Sequence, residues 1–293
     1  MAAKLRYPTG VHPLLVDETA RRRRVETRFV DQLASAGYAE VVLPIIDYVE
    51  PYEALVDRAA NRQSYRFVDR EGELIAIRSD FTPMLARALS PTMREEDLPL
   101  RLFYRGDVIR CEASRLGFKR ELFQIGAELV GDASVDADIE MLRLVADLAR
   151  RPGDEPAIVY NDVSIAAALI AQSGAVQEAL AEKRMTSSVP VALQTIVAKL
   201  ISGEATLDDV APFAPEAAAR LSAIGEALGS DSTFALHLDD IEEIGYYTGL
   251  RFRVYAGSAR AKAAQGGRYD NLYERFGQPA AAIGFTFTID DLD

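Results

Sequence analysis

Two apolar segments on either side of a polar loop constrain the fold of this chain most strongly. Residues 100–111 and 121–130 have the length and composition of β-strands, and the loop between them contains Gly117. Strands joined by such a loop pair antiparallel. We therefore predict a long β-hairpin.

Polar side chains within these strands are the first candidates for a functional site. Arg110 and Glu112 alternate with apolar neighbours. Gln124 and Glu128 are four residues apart, which places both on one face of their strand. Buried charge is tolerated only when it is paired or bound to a ligand. The residues alone leave two interpretations open, a paired Arg–Glu network on a half-exposed sheet and a binding site.

The remaining segments predict an α+β fold with an antiparallel sheet flanked by helices. Further strands are predicted at residues 38–43, 65–69, 74–78, 157–161, 233–238, 249–255 and 281–288. Helices are predicted at residues 17–36, 81–89, 137–150 and 269–276. Residues 163–229 are rich in Ala, Leu and Glu, which predicts a helical insertion in a core formed by residues 1–162 and 230–293.

The charge balance excludes several kinds of protein. The chain has 33 Lys and Arg against 45 Asp and Glu, a net charge of −12, so its surface on average repels nucleic acid. The basic run at residues 21–24 is predicted to be a solvated helix face. With one cysteine and two histidines, neither a disulfide framework nor a metal centre is expected. Since no apolar run approaches the ~20 residues of a membrane span and no signal peptide is recognisable, we expect a cytoplasmic protein that binds no membrane.

Two glycine-containing segments are the next candidates. Residues 245–249 read Gly-Tyr-Tyr-Thr-Gly, and residues 265–270 read Gln-Gly-Gly-Arg-Tyr-Asp. The glycine pair precedes the predicted helix at 269–276, where unpaired backbone N–H groups can approach an anion. The same glycines could equally form a tight turn or a bulge. Neither segment alone specifies a function.

Taken together, these segments resemble the catalytic core of class II aminoacyl-tRNA synthetases, and among them histidyl-tRNA synthetase. The resemblance covers nearly the whole chain. The matching segments are residues 37–44 (motif 1, a dimer interface in that family), 109–112 with Gly117, Arg120 and Gln124 (motif 2), 281–292 (motif 3), and 246–248 and 266–270 (the two histidine-specific signatures).

The resemblance implies a histidine-binding pocket. A glutamate and a threonine of the synthetase contact the amino group of histidine, and Asp80 and Thr82 stand in their places. Arg110 corresponds to the motif 2 arginine, which can oppose a carboxylate bidentately, and Glu128 to the glutamate that binds the imidazole. The implied histidine-binding residues are Asp80, Thr82, Arg110, Gln124, Glu128, Tyr247 and Tyr269, with no metal and no cofactor.

Two departures from the synthetase pattern argue against catalysis. Glu242 and Asp291 stand where the synthetase has the arginines that contact the reacting phosphate and ATP. Losing one preorganised donor costs roughly 3–4 kcal/mol in a transition state. A swap from cation to anion costs more, because repulsion replaces attraction. We therefore expect neither aminoacyl-adenylate formation nor any catalytic residue, and, since the sequence stops after motif 3, no anticodon-binding domain.

A synthetase-like core with these departures resembles the family of ATP phosphoribosyltransferase regulatory subunits. The resemblance implies a non-catalytic subunit that acts in the first step of histidine biosynthesis. It implies assembly with the short-form catalytic subunit into a hetero-oligomer, expected to be a hetero-octamer, and self-dimerisation through motif 1. It also implies activation of the catalytic subunit and feedback inhibition with histidine as the effector.

Two other functions stay open. The chain could be a stand-alone amino-acid-activating ligase with a histidyl-tRNA synthetase-like core, or a regulatory module that senses tRNA. Within the regulatory reading, histidine could bind in the inherited pocket or at a subunit interface. The surface that contacts the catalytic subunit and the role of residues 163–229 are not specified by the sequence.

Overall fold

The computed structural model of the chain forms two compact units. The residues it describes are 7–53, 64–111, 119–240, 245–257 and 261–292. The first unit consists of Met1–Val130, Leu272–Ala280 and Thr286–Asp293, and the second of Gly131–Asn271 and Ala281–Phe285.

The secondary structure of the first unit is as follows. Its helices and strands are α1 (Val16–Ser35), β1 (Ala39–Glu40), β2 (Ile46–Tyr48), β3 (Arg66–Val68), β4 (Leu74–Ile77), α2 (Thr82–Leu89), β5 (Leu100–Ile109) and β6 (Glu121–Val130). Short 3₁₀ turns lie at Glu50–Tyr52, Glu95–Asp97, Tyr273–Phe276 and Ile289–Asp291.

The second unit alternates strands with a helical stretch. Its elements are α3 (Val135–Ala149), β7 (Ala157–Asp162), α4 (Val163–Gln172), α5 (Gly174–Ala181), α6 (Val191–Ser202), α7 (Leu207–Val210), α8 (Pro215–Leu228), β8 (Phe234–Leu236), β9 (Leu250–Ala256) and β10 (Ala261–Arg268). The last strand, β11 (Ala282–Thr288), has residues in both units. Residues 163–229 are thus mainly helical, and their assignment as an inserted domain stays a prediction.

The predicted hairpin is confirmed. Strands β5 and β6 pair antiparallel along their whole length, from Leu100 opposite Val130 to Ile109 opposite Glu121. In the first unit, β1 and β6 lie on either side of β5. A second, three-stranded sheet has the order β2-β4-β3, and its antiparallel β3–β4 pair matches the strands predicted at residues 65–69 and 74–78.

Helix α1 and the glycine after it also follow the prediction. The helix buries Phe29 and Leu33, one turn apart, on the face directed to the core. It ends before Gly37, whose φ of +85° is the left-handed conformation that favours glycine after a helix. The adjacent predicted strand at 38–43 is shorter than expected: Ala39–Glu40 forms the strand, and Val41 adds one hydrogen bond from its N–H to the carbonyl oxygen of Phe103.

Strand pairing is not purely antiparallel outside the three-stranded sheet. Strand β1 runs parallel to β5, and β7 runs parallel to β8. In both cases a long connection separates the two strands, and a crossover of that kind returns the chain to the end where the first strand began. Between β7 and β8 the connection is the helical stretch α4–α8.

The helix predicted at residues 269–276 is wrong, apart from the 3₁₀ turn at its end. In the second unit the strand order is β11-β10-β9-β7-β8, and the glycine pair lies inside β10 instead of before a helix. A Cβ atom on Gly266 would lie 2.3 Å from the carbonyl oxygen of Gly284, and one on Gly267 would lie 2.5 Å from that of Leu250. These glycines therefore permit close approach of neighbouring strands.

None of the described helices is both long enough and apolar enough to cross a bilayer.

Candidate functional site

The segment Asp80–Thr82 is positioned by Arg78. The Nε of Arg78 donates to the carbonyl oxygen of Asp107 on β5 at 2.8 Å, and its Nη1 donates to that of Leu43 at 2.9 Å. Its guanidinium lies over the ring of Phe81, 4.2 Å from the centroid. The chain entering α2 is therefore attached to the edge of the hairpin, with Thr82 as the first helical residue.

Phe81 in turn positions a tyrosine of β5. The rings of Phe81 and Tyr104 stack with centroids 4.4 Å apart, and Tyr104 is fully buried. On β5, Tyr104 lies opposite Gly126, between the positions opposite Gln124 and Glu128. Its hydroxyl therefore extends on the same face of the hairpin as these two polar side chains.

Glu128 is the centre of a buried hydrogen-bond cluster in the first unit. Its Oε1 accepts hydrogen bonds from Thr82 Oγ1 at 2.8 Å and Tyr104 Oη at 3.0 Å. Tyr104 Oη also lies 2.9 Å from Thr286 Oγ1 on β11. Since Tyr104 uses its proton on Glu128, Thr286 is the donor in that contact. We call Thr82, Tyr104, Glu128 and Thr286 the Glu128 cluster.

Burial changes the ionisation of Glu128. Loss of solvation raises the pKa of Glu128 to about 8, and the nearby charge of Asp80 acts in the same direction. The hydrogen bonds from Thr82 and Tyr104 oppose this rise, since they stabilise the carboxylate. At neutral pH the carboxyl group of Glu128 therefore holds a proton in the unliganded chain.

Asp80 is a second buried carboxyl group beside this cluster, and Arg110 acts on it electrostatically. Burial raises the pKa of Asp80, while the positive charge of Arg110 and the backbone N–H of Thr82 lower it. Arg110 follows β5, and its backbone N–H donates to the carbonyl oxygen of Arg120 at 2.9 Å. The Nε of Arg110 is buried and has no hydrogen-bond partner among the described residues. This N–H is a donor available to an anionic ligand group.

The first unit thus brings together four of the residues implied by the resemblance. Asp80, Thr82 and Glu128 interact directly or through their charges, and Arg110 acts on Asp80. Gln124 is buried on β6, on the same face as Glu128, as the spacing predicted. Glu112 and Gly117 of the motif 2 loop lie outside the described residues.

Tyr247 and Tyr269 lie together in the second unit. Both contact Tyr246, with ring centroids 5.0 Å and 5.6 Å from it, respectively. Thr248 links their two segments, because its backbone N–H donates to Arg268 O at 2.8 Å and its Oγ1 accepts from the Asp270 N–H at 3.0 Å. A Cβ atom on Gly267 would come within 2.8 Å of the Tyr247 ring, so this glycine is needed for the arrangement.

The arginine of the Gly-Gly-Arg-Tyr-Asp segment has a structural contact that the sequence did not indicate. Arg268 is buried, and its Nη2 and Nε lie 2.6 Å and 2.9 Å from Oδ1 of Asp138 on α3. The other carboxylate oxygen of Asp138 pairs with Arg220 on α8. One fully buried carboxylate therefore binds two guanidinium groups within the second unit.

Glu242 and Asp291 are the two positions where arginines of the synthetase pattern are expected to be replaced. Glu242 lies outside the described residues, and Asp291 belongs to the 3₁₀ turn Ile289–Asp291. The neighbouring Asp290 forms a bidentate pair with Arg22, with Nε–Oδ1 and Nη2–Oδ2 distances of 2.9 Å each. Lys119 lies 3.9 Å from the same carboxylate.

The basic run at residues 21–24 is exposed to solvent as predicted, except at Arg22. Arg22 is mostly buried, binds Asp290, and lies over the ring of Phe123 at 5.2 Å from its centroid. The neighbouring Arg23 is mostly exposed and pairs with Glu26. Helical periodicity explains the difference, because adjacent residues face different sides of a helix.

Sequence reasoning missed two members of the Glu128 cluster. Tyr104 and Thr286 both lie within strands whose apolar composition indicated only core packing. The period of two was a usable signal for Tyr104, because it places residue 104 on the face of the hairpin that carries Gln124 and Glu128. Thr286 could not be found in this way, since its partner strand is distant in sequence.

A family model and individual relatives place the chain in related groups of proteins. A family model described as Histidyl-tRNA synthetase matches residues 10–292. A protein of Symbiobacterium thermophilum is 34% identical over 99% of this chain and 79% of its own length. One from Moorella thermoacetica is 31% identical over 98% of this chain and 81% of its own length. Both relatives are named ATP phosphoribosyltransferase regulatory subunit.

A solved structure has the same fold. It is described as an ATP phosphoribosyltransferase regulatory subunit/histidyl-tRNA synthetase from Bacillus halodurans. It superposes with a TM-score of 0.85 and 23% identity, over 99% of this chain and 82% of that one.

Proposed function

Because the chain belongs to the histidyl-tRNA synthetase-like family of ATP phosphoribosyltransferase regulatory subunits, we propose that it is the non-catalytic partner of a short-form ATP phosphoribosyltransferase. In this role it acts in the first step of histidine biosynthesis, activates the catalytic subunit and is required for feedback inhibition by histidine. The near full-length similarity to two proteins of that name carries the proposal. A cytoplasmic location is part of it, since the partner would be a biosynthetic enzyme that uses ATP.

The effector site is proposed at the Glu128 cluster. Glu128 is a buried acceptor for a ring N–H, Asp80 is an acceptor for an ammonium group, and Arg110 offers a buried N–H to a carboxylate. Histidine has these three groups. The ring contacts of Tyr247 and Tyr269 and the contact of Gln124 stay predictions from the resemblance.

The absence of synthetase chemistry is proposed from the acidic end of motif 3. Asp290 is held by Arg22, so this guanidinium is engaged by a carboxylate of the chain itself. Asp291 follows directly and brings a second negative charge to the segment. A carboxylate at a position where an arginine is expected would repel a triphosphate instead of attracting it. The replacement of ATP-binding arginines by Glu242 and Asp291 is part of the same proposal.

Reconstitution tests the proposed function directly. The purified chain is mixed with a short-form ATP phosphoribosyltransferase, and turnover is measured with and without histidine. We expect a stable hetero-oligomer, of hetero-octamer size by light scattering, together with faster turnover that histidine inhibits.

Two outcomes of these measurements would contradict the proposal. One is the absence of both a complex and any change in rate. The other is histidine-dependent exchange of pyrophosphate into ATP by the chain alone, which would support the stand-alone ligase instead.

Self-dimerisation through motif 1 is proposed from exposed apolar residues. Val42 lies in the motif 1 segment and is 91% exposed, and Ile45, which directly follows the segment, is 59% exposed. Exposed apolar side chains in one short segment are typical of a surface that a partner covers. A second copy is the partner proposed here, because the resemblance assigns motif 1 to the dimer interface.

A substitution of Val42 tests the dimer. We expect Val42→Asp to weaken self-association at least about 10-fold, because a carboxylate would be buried without a partner. Sedimentation velocity over a concentration series measures the effect. Val191→Asp is the matched control, since Val191 is 83% exposed at the start of α6 and is not part of motif 1. Equal dimerisation of both variants would place the interface elsewhere.

A further inference from the structure

Tyr273 is a buried phenol that the resemblance does not include among the histidine-binding residues. It is only 1% exposed, and its Oη has no hydrogen-bond partner among the described residues. Buried polar groups are almost always hydrogen-bonded in folded proteins. This hydroxyl is therefore an exception that calls for an explanation.

The backbone of Tyr273 is attached to the helix that carries Thr82. Its carbonyl oxygen accepts a hydrogen bond from Ser90 Oγ at 3.1 Å, and Ser90 directly follows α2. The opposite end of α2 provides Thr82, which donates to Glu128. Tyr273 is thus fixed against the same helix as the cluster, within the first unit.

The carboxylate of Glu128 acts electrostatically on the phenol of Tyr273. Burial and the negative charge of Glu128 both raise the pKa of Tyr273 well above its usual value. The charges of Glu128 and Asp80 both raise the pKa of Tyr104. For Tyr273, Glu128 is the charged group among the described residues that raises the pKa. Tyr273 therefore lies within electrostatic range of Glu128.

We infer that Tyr273 is a specificity-determining residue of the Glu128 site, whose Oη makes its hydrogen bond to the polar side chain of the bound ligand. The hydroxyls of Thr82 and Tyr104 already bind Oε1 of Glu128, and that of Thr286 contacts Tyr104. The hydroxyl of Tyr273 remains for the ligand. The ligand class is a small amino acid with a nitrogen heterocycle, since Glu128 and a phenol together match a ring with two polar nitrogen atoms. This inference rests on the proposed histidine site.

Removal of a single oxygen tests the inference. We expect Tyr273→Phe to weaken histidine binding about 10-fold, the equivalent of one neutral hydrogen bond, as measured by titration calorimetry. The binding of β-(2-thienyl)alanine, whose ring has no nitrogen, should be unchanged by the substitution. The melting temperature of the unliganded variant should not fall, because no hydrogen bond of the free chain is lost. Tyr104→Phe serves as the contrast, because it removes a hydroxyl that is already bonded and should lower that temperature.

The outcomes separate this inference from the proposed histidine site. If the unmodified chain binds histidine and Tyr273→Phe binds it equally well, the inference is overturned and the histidine site stands. If Tyr273→Phe lowers affinity and unliganded melting temperature together, Tyr273 has a structural role and the inference is again wrong. If the unmodified chain does not bind histidine, the proposed site fails, and the inference fails with it.

Discussion

Asp138→Ala is expected to destabilise the chain by about 3–5 kcal/mol, the cost of removing one partner from a buried ion pair. Asp138 is fully buried and binds Arg268 and Arg220. Without it, the guanidinium of Arg268 would remain buried without its main counter-charge. Chemical denaturation at neutral pH measures the effect through the midpoint and the free energy of unfolding.

Asp147→Ala on the same helix is the matched control. Asp147 also pairs with an arginine, Arg150, but both side chains are largely exposed to solvent. Exposed pairs contribute about 0–1 kcal/mol, so the control should unfold almost as the unmodified chain does. Similar losses in the two variants would mean that burial does not determine the strength of the Asp138 interactions.

The hairpin and its polar residues could be predicted because the information is local. Alternation with a period of two fixes which residues of β6 share a face, and Gln124 and Glu128 do so in the structure. The loop position fixes the register between β5 and β6. The resemblance then indicated Asp80 and Thr82 as neighbours of Glu128, and the hydrogen bond from Thr82 to Glu128 agrees with that.

Strand β10 could not be predicted because its sequence does not favour a strand. Residues 261–268 read Ala-Lys-Ala-Ala-Gln-Gly-Gly-Arg, without any β-branched or aromatic residue. Its conformation is imposed by β9 and β11 on either side, which approach closely at Gly266 and Gly267. The pairing of Asp290 with Arg22 was equally hidden, since 268 positions separate the two residues.

Glu128→Gln is expected to have opposite effects on stability and on histidine binding. Because the pKa of Glu128 is raised from 4.5 to about 8, the folded chain holds this proton more tightly than the unfolded chain. Stability is therefore lost progressively as pH rises from about 4.5 to about 8, by on the order of 4 kcal/mol. Glutamine has nearly the same shape and does not ionise, so the variant should be more stable than the unmodified chain at pH 8.

Histidine affinity should increase over the pH range in which the stability of the chain decreases. A ring N–H favours the carboxylate form of Glu128, so histidine affinity of the unmodified chain should rise with pH up to about 8, and binding at pH 7 should release a proton. Replacing that charge by an amide should weaken binding about 10- to 100-fold and abolish the proton release. Calorimetry in two buffers with different ionisation enthalpies measures both quantities.

Glu121→Gln is the control for both effects, because Glu121 begins the same strand in an exposed position. Neither stability nor histidine affinity should change in that variant. A buried glutamate with a purely structural role would give a different pattern, in which Glu128→Gln leaves histidine binding and its pH dependence unaltered. The combination of greater stability with weaker binding follows only if the folded chain keeps a destabilising carboxyl group in place for its ligand.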